Sequence, residues 1–168
     1  MQRFGLVIDS PVGRLQLVAE ETCLVALVWE QETSNRVRLG EVHDDLHHPV
    51  LLETADQLGE YFAGARTQFT VPLAMRGTAF QEEVWTALLT IPFGETRSYG
   101  QLARQLGKPT ATRAIGAANG RNPLSILVPC HRVVGSSGKL IGFAGGLRAK
   151  AYLLGLEQPE PQLFRWPA

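Results

Sequence analysis

The sequence predicts an α/β fold in two parts: a small antiparallel sheet plus a helix over residues 1–76, and a mostly helical part with a helix-turn-helix over residues 77–158, followed by an irregular tail over 159–168. Three observations carry this reading. The stretches "FGLVID", "GRLQLVAE" and "CLVALVWE" are rich in β-branched and apolar residues and read as strands. Two later segments repeat apolar residues at helical spacing. Two short helix-like segments then succeed one another around Gly107 and Pro109.

Taken in order, the turn signal Ser10-Pro11-Val12-Gly13 joins the first two strands into an expected antiparallel meander. The polar stretch from Gln31 to Pro49 reads as irregular. In "VLLETADQLGEYFAG" the residues Leu51, Ala55, Leu58 and Phe62 form one stripe, and Gly64 can end the helix. After the extended segment "TQFTVPLAMRG", Thr78 and Gln81 have the spacing of a capping box, and Phe80, Val84, Leu88 and Ile91 form an apolar stripe that Pro92 closes; a helix is expected over about 79–90. Ser98 and Gln101 repeat the capping spacing before "YGQLARQLG", and "TATRAIGAANG" follows as the second helix. "LSILV" reads as a buried strand or extended segment, "HRVVGSSGKLIGF" as a hairpin turning at Ser136-Ser137-Gly138, and "LRAKAYLLGLE" as the closing helix.

With 168 residues, 45% hydrophobic and 19% charged, this is the composition of a water-soluble chain with core-forming capacity. No apolar stretch is long enough to span a bilayer, and "MQRFGLVIDS" lacks a signal-peptide apolar run, so a cytoplasmic protein with two free thiols, Cys23 and Cys130, is expected. The net charge of zero hides a split of −5 over residues 1–76 and +5 over residues 77–168. Either the second half meets a polyanion, or scattered surface charges happen to fall this way.

The second short helix is made of small residues: Ala111, Ala114, Gly116, Ala117 and Ala118. A helix so stripped of bulk can approach another surface closely or pack tightly in a core; Arg113 near its start favours nucleic acid. Three histidines in "EVHDDLHHP" lack ligand spacing and read as a solvated loop, and Cys23 reads as a small buried hydrophobe. In "ILVPCHRVVG" Cys130 stands directly before His131. A thiol reacts as its thiolate and needs a neighbour to take the proton, a role histidine suits. Neighbours on a regular strand point to opposite faces, but after Pro129 a turn could bring both side chains to one site and offer free N–H groups to a thiolate. A buried structural cysteine, a thiol hydrolase and a thiol transferase all remain open on these residues alone.

The motifs "PCHRV" at 129–133, "RNP" at 121–123 and "GFAGG" at 142–146 stand in one order, and from "GTAFQEEVW" through Glu157 the chain resembles the O6-alkylguanine-DNA alkyltransferases, also called methylated-DNA:protein-cysteine methyltransferases. The first half resembles the family only as a small α/β domain. The resemblance implies single-turnover DNA repair: a damaged guanine is flipped out of the duplex and its O6-alkyl group passes irreversibly to Cys130. It leaves O4-alkylthymine open as a substrate, and a lesion binder without chemistry stands as the rival reading.

The resemblance also implies roles. Cys130 is the nucleophile, His131 activates it through a water, Glu157 orients His131, and Asn122 is the hinge holding the reactive segment. Arg113 is the finger that fills the vacated stack, Tyr99 crowds the neighbouring phosphate, and Ala114, Gly116 and Ala117 lie close to the minor groove. The carbonyls of Cys130 and Val133 accept from the guanine amine, the Ala144 N–H donates to O6, Lys150 closes the pocket and Arg132 is structural. No cofactor and no metal are implied, since the chain lacks the cysteines of the zinc site some relatives carry. Double-stranded DNA is the expected partner of a monomer, with cooperative binding on DNA open. Phe143 departs from the pattern, standing where the family usually has a tyrosine.

Overall fold

A tight turn at Ser10–Gly13 sets the register of the first sheet in this computed structural model, which describes residues 1–32 and 36–158. The Gly13 N–H donates to Ser10 O at 3.1 Å, and Gly13 sits at φ 108°, a conformation a side chain would strain. β1 (Arg3–Ile8) and β2 (Leu15–Ala19) pair antiparallel with Leu6 opposite Leu17, and β2 pairs antiparallel with β3 (Leu24–Trp29), as the meander requires. One strand was not legible. β4 (Val42–Asp44) lies inside the stretch expected to be irregular and pairs in parallel with β1, completing the order β3-β2-β1-β4. Three residues carry no detectable alternation; the open edge of β1 recruits them.

α1 (Pro49–Phe62) covers one face of this sheet. His48 caps it, Nδ1 accepting from the Val50 N–H at 3.2 Å, and stacks 5.0 Å from Phe4. It is therefore a buried cap rather than part of a solvated loop, while His43 and His47 are exposed. The buried residues of α1 are Leu51, Thr54, Gln57, Leu58 and Tyr61; Ala55 and Phe62, expected on the stripe, sit half-buried at its margin. The face is rotated because its polar groups are satisfied in place. Thr54 donates to Val50 O at 2.7 Å, and Gln57 exchanges bonds with Thr70 at 2.7 and 2.9 Å.

In the second half both capping boxes form. Thr78 and Gln81 open α2 (Ala79–Leu88) with bonds of 3.1 and 3.0 Å, and Ser98 and Gln101 open α3 (Tyr99–Gln105) with bonds of 3.1 and 2.8 Å. α4 (Thr112–Gly120) follows, locked to α2 by the buried Trp85 indole N–H, which donates to Ala118 O at 2.8 Å. α5 (Leu147–Leu156) is the last helix described; the expected irregular tail, 159–168, lies outside the described residues. The expected hairpin after His131 is corrected. β6 (Val133–Val134) pairs in parallel with β5 (Arg97–Ser98), and only the tight turn survives, with Gly138 N–H on Gly135 O at 2.9 Å. The return leg forms no strand because residues 141–144 line a cavity instead.

The outer edge of β3 is met by two other segments. Leu24 exchanges bonds with Pro72 and Ala74 at 2.9 Å, and Leu27 donates to Pro123 O at 2.8 Å and accepts from the Ser125 N–H at 3.2 Å. One apolar cluster accordingly runs from Leu15, Leu17 and Leu27 through Leu88 and Leu102 to Val128 and Leu153. Val18, Ala26 and Val28 face the other way into a smaller cluster, with half-buried Cys23 at its margin.

Candidate active site

The segment pinned to β3 leads directly into the cysteine. Asn122, wholly buried, clasps it: its amide N–H donates to Val128 O at 2.9 Å, and its carbonyl accepts from the Leu124 N–H at 3.0 Å. Between them the buried Ile126 takes φ 74°, a costly conformation for a β-branched residue that the surrounding core holds in place. After Pro129, residues Cys130–Arg132 form one 3-10 turn, the irregular geometry expected there, and all three are buried.

His131 is fully buried, and its Nε2 lies 2.8 Å from Glu157 Oε2. A carboxylate only accepts, so Nε2 carries the proton and Nδ1 is left as an acceptor; among the described residues Nδ1 has no partner. Burial pushes the imidazole below its ordinary value against the opposing pull of Glu157, and the ring is neutral at neutral pH. Glu157 is held from three further directions. Arg132 Nε and Nη2 donate at 2.8 and 3.0 Å, and Tyr61 Oη donates at 2.6 Å. Burial alone would raise this carboxyl, but His131 and Arg132 hold it down at about 2. Arg132 also donates to Ile91 O at 2.7 Å, tying the turn to the core as the resemblance implies.

Burial pushes the Cys130 thiol up, while the Asn122 amide, the charges of Arg36 and Lys150 and the Ser125 hydroxyl act in the opposite direction. The thiol rests protonated and needs a base to react. Lys150 is wholly buried, donates to Val133 O at 2.6 Å and to Ile141 O at 2.9 Å, and is pushed down to about 8 by burial. Neither Val133 nor Lys150 lines the cavity; Lys150 fastens its rim from behind.

That cavity, about 590 Å³, has Cys130 in its wall together with Tyr99, Arg113, Gly116, Phe143 and Ala144. α4 turns Ile115, Ala118 and Asn119 into the core and leaves Arg113, Ala114, Ala117 and Gly120 exposed. The small residues therefore divide. Ala118 packs inward, while Ala114 and Ala117 form a low outer face, with Gly116 close against the Tyr99 ring. Burial pushes the Tyr99 phenol up, so it stays protonated at neutral pH.

Opposite α4, the rim rests on the first sheet. The Trp29 ring meets Phe143 edge-on at 5.2 Å, and a Cβ added to Gly145 would lie 2.4 Å from the indole, so only glycine admits this contact. Sequence reasoning missed Trp29, Tyr61 and Arg36. Arg36 pairs with Glu32 and donates to Asn122 O at 2.7 Å and Gly120 O at 3.2 Å, a cation at the C-terminal end of α4. All three come from the first half, where nothing in the local pattern marks them; a buried tyrosine and tryptophan read as core. Among the described residues, no three His, Cys, Asp or Glu side chains gather where they could hold a metal ion, and no helix is long and apolar enough to cross a membrane.

Known proteins are similar to this chain over most of its length. Residues 79–159 match the family model of the 6-O-methylguanine DNA methyltransferase DNA-binding domain, and residues 6–75 match that of its ribonuclease-like domain. The chain is 49% identical over 150 residues to the methylated-DNA–protein-cysteine methyltransferase of Mycobacterium leprae, covering 89% of each chain. It is 50% identical over 151 residues to that of Mycobacterium tuberculosis H37Rv, covering 90% of each. The crystal structure of Mycobacterium tuberculosis OGT in complex with DNA superposes with a TM-score of 0.85 at 48% identity, covering 95% of this chain and 94% of that one.

Proposed function

This chain belongs to the 6-O-methylguanine DNA methyltransferase family, enzymes that repair DNA by alkyl transfer to a cysteine, and on that premise we propose that Cys130 is the acceptor, acting once on O6-alkylguanine in duplex DNA. The observation that carries this assignment is the buried Glu157–His131 pair, 2.8 Å apart, which leaves Nδ1 of the residue next to Cys130 as a free acceptor. His131 takes the thiol proton through a water, the sulfur attacks the alkyl carbon, and the carbon–O6 bond breaks. Guanine departs as an anion and takes up, through water, the proton that His131 received from the thiol, which returns His131 to its neutral form; the thioether on Cys130 is final. No cofactor enters this sequence.

The exposed small-residue face of α4 supports minor-groove binding, with Arg113 entering the stack and Tyr99 crowding the adjacent phosphate; the protein acts as a monomer. The N–H of Ala144 is a donor for O6 and the Cys130 carbonyl an acceptor for the guanine amine, while Val133 O, outside the cavity lining, is held by Lys150. Residues 77–158 act as the DNA-binding alkyltransferase domain and residues 1–76 as its scaffold, in the reducing cytoplasm.

Intact and peptide mass spectrometry after incubation with an O6-methylguanine duplex tests this. The peptide holding Cys130 gains one methyl group, the peptide holding Cys23 none, and Cys130→Ser binds duplex without reacting. Duplex binding with no mass gain in the wild-type protein would favour a lesion binder instead.

A further inference from the structure

The transfer centre contains a group from outside the alkyltransferase half. Tyr61, at the last turn of α1, is 1% exposed, and Phe69 and Phe93 hold its ring at centroid distances of 5.4 and 6.4 Å. Its hydroxyl reaches Glu157 Oε2 at 2.6 Å, the same oxygen that accepts from His131 at 2.8 Å and from Arg132 Nη2 at 3.0 Å. Three donors therefore compete for the lone pairs of one oxygen, while Oε1 takes only Arg132 Nε. Burial and the neighbouring carboxylate push the Tyr61 phenol up, so the hydroxyl is held as a donor throughout the working pH range.

We infer that Tyr61 is a positioning residue for alkyl transfer: by occupying one lone-pair site of Glu157 Oε2, its hydroxyl sets the direction and strength with which that carboxylate holds His131. The inference rests on the reading that His131 activates Cys130. With the hydroxyl in place, part of the charge on Oε2 is spent on Tyr61, and the pull that would favour imidazolium is tempered. Without it, the carboxylate pulls harder on the Nε2 proton, the imidazole becomes more basic, and the neutral acceptor form is lost at a higher pH. Of the other groups around the pair, Arg132 is a fixed cation and Lys150, at about 8, is charged throughout the acid range in which His131 titrates. Arg132 and Lys150 both oppose a charged His131, Cys130 lies next in the chain, and Tyr152, on the outer side of α5, acts weakly on Tyr61. The first domain thereby supplies one hydroxyl to the chemistry of the second.

The test uses full-length protein in three forms: wild type, Tyr61→Phe, and protein with 3-fluorotyrosine at position 61, a stronger donor of nearly the same shape. Two quantities are read against pH: the rate of benzyl transfer from free O6-benzylguanine to Cys130, by intact mass, and the titration of the His131 imidazole, by NMR. Removing one hydrogen bond should move both the acid limb and the His131 titration upward by about half a unit to one unit in Tyr61→Phe, a loss of about three- to tenfold in rate on that limb. Fluorotyrosine should move both downward. Opposite shifts support the inference. An unmoved His131 titration across the three forms overturns it, even if Tyr61→Phe melts earlier. Should Tyr61→Phe not fold, the fluorotyrosine protein decides alone. If the wild type takes no methyl group from an O6-methylguanine duplex, the proposed function fails, while the His131 titration still judges Tyr61.

Discussion

The Lys150 ammonium donates to the Val133 carbonyl at 2.6 Å and, with a second proton, to Ile141 O at 2.9 Å. One buried cation thus joins the strand leaving the reactive turn to the rim of the cavity.

Lys150→Met keeps the length of the side chain and removes these donors, leaving two carbonyls short of a partner. Relief of the buried charge offsets part of the cost. A net loss of about 1–3 kcal/mol is expected by chemical denaturation. Limited proteolysis should show faster cleavage within residues 135–146 and unchanged cleavage elsewhere; equal protection in both proteins would remove the clasp role.

Stability should fall toward acid in two steps. His131 has a folded value below its ordinary 6.5, with burial the leading cause, so the unfolded chain takes up this proton first and stability drops as pH falls through about 6.5. Glu157, at about 2 when folded against 4.5 as its ordinary value, adds stability that is complete above 4.5 and is lost as pH falls toward 2. Glu157→Gln should erase the lower step and cost about 3–5 kcal/mol at neutral pH, since Arg132 loses its buried partner. Denaturation midpoints measured from pH 8 to 3 would reveal either step as missing.

Arg113→Ala should separate flipping from chemistry. The side chain is exposed at the cavity mouth and, on the reading above, fills the stack only when a base leaves it. Transfer from duplex should slow at least tenfold while transfer from free O6-benzylguanine stays near wild type. Equal losses on both substrates would show that the arginine is not the finger.

Phe143→Tyr should speed the reaction. Phe143 lines the cavity and packs edge-on against Trp29 at 5.2 Å and against His131 at 6.5 Å. A hydroxyl at its tip would offer the departing guanine O6 a donor that strengthens as charge develops. One such bond, about 1–3 kcal/mol, corresponds to roughly 5- to 150-fold in rate; a gain of several-fold in the single-turnover rate at saturating DNA is expected, with little change in affinity. A slower tyrosine variant that folds normally would mean that another donor already serves O6.

Raised salt should weaken duplex binding by the wild-type protein, because residues 77–168 carry exposed cations suited to phosphate, among them Arg104, Arg113, Lys139 and Arg148. Fluorescence anisotropy with a labelled duplex at two or more salt concentrations measures the slope. Salt-independent affinity would make the charge split incidental.

What the sequence determined by itself is local. The Ser10–Gly13 turn, the two capping boxes and the helix stop at Gly64 involve partners within a few residues, so their energetics are written in adjacent letters. The motif around Cys130 was legible in the same way, down to the turn after Pro129, whereas the burial of His131 was not. What only the tertiary structure decided is every contact between distant segments. Periodicity marks apolar residues, so the helix face carrying Thr54, Gln57 and Tyr61 escaped it: their polar atoms find partners at Val50, Thr70 and Glu157, two of them outside the helix. The parallel pairing of Val133–Val134 with Arg97–Ser98 replaced the expected hairpin for the same reason, since two residues hold no pattern and the partner strand is remote. Trp29 under Gly145 and Tyr61 on Glu157 likewise join remote segments, and the sheet edge at β3 is completed by residues 123–125, a pairing set by which backbone groups lack a partner after collapse; no short window of sequence contains that information.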